Sequence, residues 1–230
     1  AALQAQDVDA VGVDATPQRL LGLAAEGFDR AFIILHGRGG EDGVAQAILQ
    51  AQGLPFTGSG LAASALGMDK SHTKSVWRDA GLPTPASKTL YSQQDCEGLA
   101  GELGLPLFIK PAHEGSSVGM SKVTAADELV SAFEKAAGHD PAVLAEQFID
   151  GPEYTVAILD GQVLPIIRIQ AASDFYDYQA KYKSDQTLYH CPCGLTDAQE
   201  QAFGQVALRA FNAVGVTGWG RVDFMRDADG

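Results

Sequence analysis

Lys110 ends the apolar run LPLFIKP and opens a loop, AHEGSSVGMSK, in which Gly115, Ser116, Ser117 and Gly119 fall within five residues. A lysine on a buried strand is costly unless an anion meets it. Glycines let backbone N–H groups approach a ligand closely, and those groups with the serine hydroxyls suit phosphate oxygens. A surface hairpin whose lysine reaches out to water fits the same residues, and taken alone they leave both readings open. The run from Gly115 to Gly119 also spells G-x-S-x-G. A nucleophile elbow needs a helix directly after its serine, whereas VGMSKV alternates like a strand and no helical pattern begins before Thr124. His139 and His190 are available as bases for Ser117, but neither has an evident orienting aspartate. A Walker A loop fails as well, because Gly115 and Gly119 are too close and Lys122 stands three further on.

Other charged side chains interrupt apolar patterns. Lys74 lies in DKSHTKSVWRDAG, and Lys181 and Lys183 lie in FYDYQAKYK. Arg221 and Asp223 alternate in GWGRVDF, which puts them on one face of a strand. Such a pair is either a structural ion pair or a device for holding developing charge and Mg²⁺. HCPCG offers His190, Cys191 and Cys193, but a fourth ligand at zinc spacing is missing and a plain loop is the expectation.

Alternating helices and strands must carry these groups. Over residues 1–67, RAFIILHG reads as a buried parallel strand. EDGVAQAILQAQG reads as a helix with acids in its first turn and Gly53 past its end, and LPFTGSG as a short strand with a Gly-rich turn. Together they indicate an open parallel sheet. In residues 68–150 the pattern predicts a helix capped by Asp69 and stopped by Gly81, then strands at SKTLY, LPLFIKP, VGMSKV and AVLAEQFI. Two helices open there on capping boxes, one of them Ser92 to Asp95. In residues 151–230, EYTVAILDGQVLPIIRIQ is a hairpin around Asp160-Gly161. A polar, aromatic loop follows from Ala171 to about Cys193, then a helix capped by Thr196 and a last strand GWGRVDFMRD. The expected fold class is α/β and α+β: an N-terminal parallel α/β domain, then two units of helices on small antiparallel sheets that could clamp a ligand between them.

Read in order, LHGRGGEDG, PFTGSG, MDKSHTK, KPAHEGSSVGMSKV, GPEYTVAIL, FYDYQAKY and GWGRVDFM resemble the D-alanine–D-alanine ligase family of the ATP-grasp superfamily, over essentially the whole chain. The resemblance implies an N-terminal α/β domain (1–67), a central ATP-grasp subdomain (68–150) and a C-terminal ATP-grasp subdomain (151–230), with ATP between the last two. It implies that ATP phosphorylates one D-alanine carboxylate and that the amine of a second D-alanine attacks the acyl phosphate, in bacterial cytoplasm, for peptidoglycan precursors. Lys74, Lys110 and Lys181 are then expected on ATP phosphates, Glu146 on the adenine amino group and Glu153 on the ribose. Ser116 and Ser117 are expected in a lid over the phosphates, with Ser116 bonded to Tyr182 of the aromatic loop. His36 and Glu41 are expected near the first D-alanine, Arg221 at the developing oxyanion, and Asp223 on Mg²⁺ or Mn²⁺. A homodimer is expected from the family alone.

The chain has 230 residues, 46% of them hydrophobic, and a net charge of −13. That charge disfavours nucleic acid and anionic membrane as partners, and no apolar run is long enough to cross a bilayer. Three cysteines make no disulfide framework and fit a reducing compartment. AALQAQ reads as a helix and DAVGVD as a strand, so a first strand and the family's Gly-rich loop with its glutamate are expected before residue 1. A return strand with the metal-binding E-x-N pattern is expected after Gly230. His113 stands where the family typically has Arg or Ser. Three other functions compete: a depsipeptide ligase using D-lactate, which FYDYQAKYK argues against, a nucleotide-binding module without catalysis, and the Ser117 hydrolase.

Overall fold

The computed structural model describes residues 2–115, 118–170 and 187–228. Three apolar clusters organise them.

The first gathers Leu20, Leu23, Ala45, Leu49 and Leu54. Helices α1 (Pro17–Leu20) and α2 (Val44–Ala51) contribute to it, and α3 (Leu61–Met68) packs against α2. Here the expected parallel sheet is reduced to one parallel bridge, Ala31 to Phe56. RAFIILHG has Ile33 and Leu35 packed on this cluster, while Phe32 and Ile34 are 59% and 70% exposed. The run is therefore covered on one face, not two. AALQAQ forms only a short 3-10 turn, Gln4–Gln6, and DAVGVD forms no strand. The acids of EDGVAQAILQAQG lie before the helix and not in its first turn. Asp42 accepts the N–H groups of Gly39 and Val44 at 2.7 and 3.1 Å.

The second cluster lies under a four-stranded antiparallel sheet, β1 (Ser87–Leu90), β2 (Leu107–Pro111), β3 (Ser121–Val123) and β4 (Val143–Gln147), in the order β1-β4-β2-β3. Leu107, Ile109, Val143 and Ala145 meet α5 (Leu99–Leu103) and the apolar stripe of α6 (Leu129–Ala137). β3 pairs with β2, and residues 118–120 just before it are not helical, so no helix stands where a nucleophile elbow requires one. Gly119 among them has φ +71°, and a Cβ there would stand 2.6 Å from the His139 ring.

The third cluster backs a five-stranded antiparallel sheet. β5 (Glu153–Leu159) pairs with β9 (Trp219–Met225) along one edge, and with β6 (Gln162–Val163) and β7 (Ile167–Gln170) along the other. Asp160 and Gly161 turn the hairpin with φ of 47° and 77°. β8 (Leu188–His190) pairs with β7 inside a segment expected to be loop throughout, because three residues are too few for alternation to be seen. Helix α7 (Asp197–Ala213), with its Thr196/Gln199 capping box, covers Val156, Ile158 and Val222.

Helix α4 (Lys70–Asp79) joins the two sheets. Asp69 caps it by accepting the N–H of His72 at 2.9 Å, and Gly81 ends it with φ +65°. Ser71 and Arg78 bond to Thr89 and Ser87 of β1. At its far end Trp77 packs into the third cluster and donates to the carbonyl of Ala210.

Candidate active site

Two side chains expected to act apart meet on the first sheet. β2 and β4 pair Lys110 with Leu144 and Phe108 with Glu146, so Lys110 and Glu146 are diagonal neighbours on one face. Long side chains reach across such a diagonal. The Lys110 ammonium donates to Glu146 Oε1, and Lys74 Nζ, arriving from α4, stands 2.9 Å from Glu146 Oε2. Lys74 also donates to Thr84 Oγ1 at 2.7 Å. All three side chains are largely buried, at 6%, 18% and 13% exposure for Lys74, Lys110 and Glu146. Burial pushes the Glu146 carboxyl up, but Lys110 and Lys74 outweigh it and hold the group below its ordinary range. Burial pushes Lys74 down, with Glu146 acting against it.

One carboxylate between two ammoniums leaves the triad with net positive charge. An ammonium has three donors. Two of those on Lys74 and one of those on Lys110 are used by the described partners, so one and two remain. Unused donors and surplus charge in a part-buried site suit phosphate oxygens, and on this donor set the triad fits the polyphosphate of ATP. The Glu146 oxygens retain lone pairs, so an adenine amino group is chemically compatible with the same carboxylate.

On the second sheet, Thr155 and Asp223 are directly opposed across β5 and β9, and Thr155 Oγ1 donates to Asp223 Oδ1 at 2.8 Å. Arg221 forks onto the same carboxylate, Nε to Oδ1 at 2.9 Å and Nη2 to Oδ2 at 3.1 Å. Both side chains are exposed, at 60% and 46%. Glu153 opens β5 and is half-buried. Among the described residues no group of three or more His, Cys, Asp or Glu side chains could hold a metal ion. Asp223 by itself does not make an Mg²⁺ site. Cys191 and Cys193 are free thiols, the latter buried and bonded to Glu200 Oε1 at 3.0 Å.

His36 is exposed in the loop that follows RAFIIL. Glu41 braces that loop by accepting the Gly37 N–H at 2.6 Å. Between them Arg38 reaches Glu114, in the turn after β2, at 2.6 Å. Ser116, Ser117, Lys181 and Tyr182 lie outside the described residues.

Sequence reading missed a second set of groups at the start of α4. Lys70 Nζ donates to the carbonyls of Pro111, Ala112 and Glu114. His113 lies between Asp69 Oδ2 at 3.0 Å and Asp140 Oδ2 at 2.8 Å. The i, i+4 spacing of Lys70 and Lys74 was the available signal, since it places both on one face of a helix.

A family model for the D-ala D-ala ligase C-terminus matches residues 76–230. A D-alanine–D-alanine ligase of Ectopseudomonas mendocina is 55% identical over 229 residues, covering 100% of this chain and 73% of the relative. One from Alkalilimnicola ehrlichii is also 55% identical with the same coverage. Among solved structures, the D-alanine–D-alanine ligase of Bacillus anthracis superposes with a TM-score of 0.81 at 35% identity, covering 94% of this chain and 70% of that one. Its complex with ATP gives 0.80 at 31% identity, covering 94% and 69%. The VanG D-Ala:D-Ser ligase of Enterococcus faecalis gives 0.79 at 33% identity; the chain spans 61% of its length, and 88% of this chain is covered. By both sequence and structure, the chain belongs to the D-alanine–D-alanine ligase family.

Proposed function

We infer that the protein is an ATP-dependent carboxylate–amine ligase that joins two D-alanines for peptidoglycan precursor synthesis. The observation that carries the chemistry is the Lys74–Glu146–Lys110 triad, with unused donors on both lysines. Membership of the family supports the substrates, and the ATP complex of the Bacillus anthracis relative supports the nucleotide.

In this reading Lys74 and Lys110 hold phosphate oxygens and neutralise charge during transfer, which is the greater part of what phosphoryl transfer asks of a protein. The phosphoryl group passes from ATP to a carboxylate oxygen of the first D-alanine, releasing ADP. The amine of the second attacks the acyl carbon, phosphate leaves, and the amine gives up a proton. Arg221 is assigned to the oxyanion that forms in that attack; the fork to Asp223 holds its guanidinium in a fixed plane. His36 and Glu41 are assigned to the first D-alanine, and Glu146 and Glu153 to adenine and ribose. Ser116, Ser117, Lys181 and Tyr182 are assigned to phosphates and site closure from the family pattern alone. Asp223 by itself does not complete an Mg²⁺ site among the described residues.

The fold assigned with this function is a mainly helical unit over 1–67 with one parallel bridge among the described residues, and a two-part ATP-grasp unit divided near 150. Three separate apolar clusters support that division. A homodimer in bacterial cytoplasm goes with the reading. No helix among the described residues is long and apolar enough to cross a membrane.

A product assay tests the substrate assignment. The protein is incubated with ATP, Mg²⁺ and D-alanine, with D-serine or D-lactate added in parallel, and the products are identified by mass. D-Alanyl-D-alanine as the main product at neutral pH supports the reading. A mixed dipeptide or depsipeptide in its place moves the chain to another acceptor.

A further inference from the structure

Arg38 has no role in the sites above, yet it joins two of them. It stands in the loop between His36 and Glu41, the residues assigned to the first D-alanine. Its Nε donates to Glu114 Oε1 at 2.6 Å, across 76 residues of sequence. Its Nη2 lies 3.5 Å from the His139 carbonyl. Glu114 belongs to the turn that begins at Pro111, next to Lys110, and His139 to the loop between α6 and β4. Pro111 and Val143 are register partners, so both segments lie at one end of the first sheet. A single guanidinium from the N-terminal unit thus touches both.

The two partners are set in braced backbone. Around Arg38, Gly37 and Gly39 take φ of 66° and 81°. Glu41 accepts the Gly37 N–H at 2.6 Å, and Asp42 accepts the Gly39 N–H at 2.7 Å. The buried Gln46 donates to the Gly40 carbonyl at 2.7 Å. On the other side, the Ala112 N–H donates to the Ala142 carbonyl at 2.9 Å, and the His113 N–H to Asp140 at 2.7 Å. The same Glu41 that is assigned to D-alanine therefore fixes the residue before Arg38, and Glu114 is four residues from Lys110. An ion pair between two braced segments carries a displacement of one to the other.

We propose that Arg38 is a positioning residue that links the two ligand sites: through its ion pair with Glu114 it holds the loop of His36 and Glu41 in register with the turn after Lys110, so that D-alanine and ATP each strengthen binding of the other. The inference rests on the assignment of that loop to D-alanine and of Lys110 to phosphate. Arg38 is 56% exposed and Glu114 23%. Pairs open to solvent add little to stability, so the effect belongs in the linkage between ligands and not in the melting temperature. Linkage is reciprocal, and the factor must be the same measured from either ligand.

The test is equilibrium titration of the intact protein with a non-hydrolysable ATP analogue and Mg²⁺, with and without saturating D-alanine, and the converse titration of D-alanine. In wild type each ligand is expected to tighten the other at least about fivefold. Arg38→Met keeps the stem and removes the guanidinium. It should bind each ligand alone within twofold of wild type and lose at least about threefold of the coupling, the range of an exposed pair. Glu114→Gln cuts the pair from the other side and should lose the same factor; it decides the matter if the methionine variant does not fold. The double variant should lose no more than either single one. A smaller loss in the single variants, losses that add in the double variant, or no coupling in wild-type protein that binds both ligands overturns the inference and leaves the ligase reading standing. Wild-type protein that forms no D-alanyl-D-alanine from ATP and D-alanine sinks that reading, and the inference with it.

Discussion

Replacing Glu146 by glutamine keeps the shape of the triad and removes its only negative charge. Lys74 Nζ and Glu146 Oε2 are 2.9 Å apart. At an effective dielectric of about 20 that attraction is roughly 6 kcal/mol before desolvation is subtracted. The Lys110 pair adds to it, and the two ammoniums lose the anion that screens them from each other. Removing one partner of a buried pair typically costs about 3–5 kcal/mol. Lys110 is 18% exposed and can turn part of its charge to water, which argues for the lower figure. Glu146→Gln is therefore expected to lose about 3 kcal/mol in urea unfolding, or roughly 6–12 °C of melting temperature for a protein of this size. Lys74→Met on that background removes the repulsion, so the double variant should be more stable than the sum of the single losses by at least about 1.5 kcal/mol. A loss below about 1 kcal/mol, the value for an exposed pair, or simple additivity in the cycle, would refute the buried-triad reasoning.

The folded-state values of Glu146, Asp140 and Asp69 all lie below their ordinary 4.5, 3.8 and 3.8. A lowered carboxyl contributes stability that is present above its unfolded value and lost as pH falls through the folded one. The protein should hold its melting temperature down to about pH 4.5 and lose it progressively below. Glu146→Gln should flatten the upper part of that fall, and an unchanged profile would contradict the coupling. Lys110→Ala, which leaves the Lys74–Glu146 pair in place, should weaken ATP binding roughly tenfold to a hundredfold, the range of one or two charge-assisted hydrogen bonds; circular dichroism should stay native, and normal ATP affinity would remove the phosphate role. Gly119→Ala forces a Cβ to within 2.6 Å of the His139 ring at φ +71°. It should lower the melting temperature by several degrees, and a neutral result would mean that the turn relaxes freely.

Much of the fold was readable because its signals are local. The Asp69 cap, the Asp160-Gly161 hairpin and the Thr196 cap depend on residues within one turn of each other, and each formed where the pattern put it. The N-terminal run was misread because burial on two faces is a tertiary property. RAFIILHG carries the composition of a parallel strand, but only one of its faces meets the cluster around Leu49. β8 escaped notice because it exists through pairing with β7 and has no periodicity of its own. In the candidate site, Lys74, Lys110, Glu146, Arg221 and Asp223 could each be named from motifs. Their partnerships could not, because the diagonal between Lys110 and Glu146 is set by strand register, which no local motif encodes. Lys70 was passed over for the converse reason. Its acceptors are backbone carbonyls some forty residues away, and carbonyls have no signature in sequence.

The most direct measurement is ADP formation by the intact protein with ATP and Mg²⁺, with and without D-alanine, using L-alanine as the control. ADP that appears only with D-alanine, in step with D-alanyl-D-alanine and lost in Lys110→Ala, is the predicted result. ADP formation that ignores D-alanine, or no turnover at all from a protein that binds ATP, would contradict the ligase assignment, and the roles given to His36, Glu41 and Arg221 would fall with it.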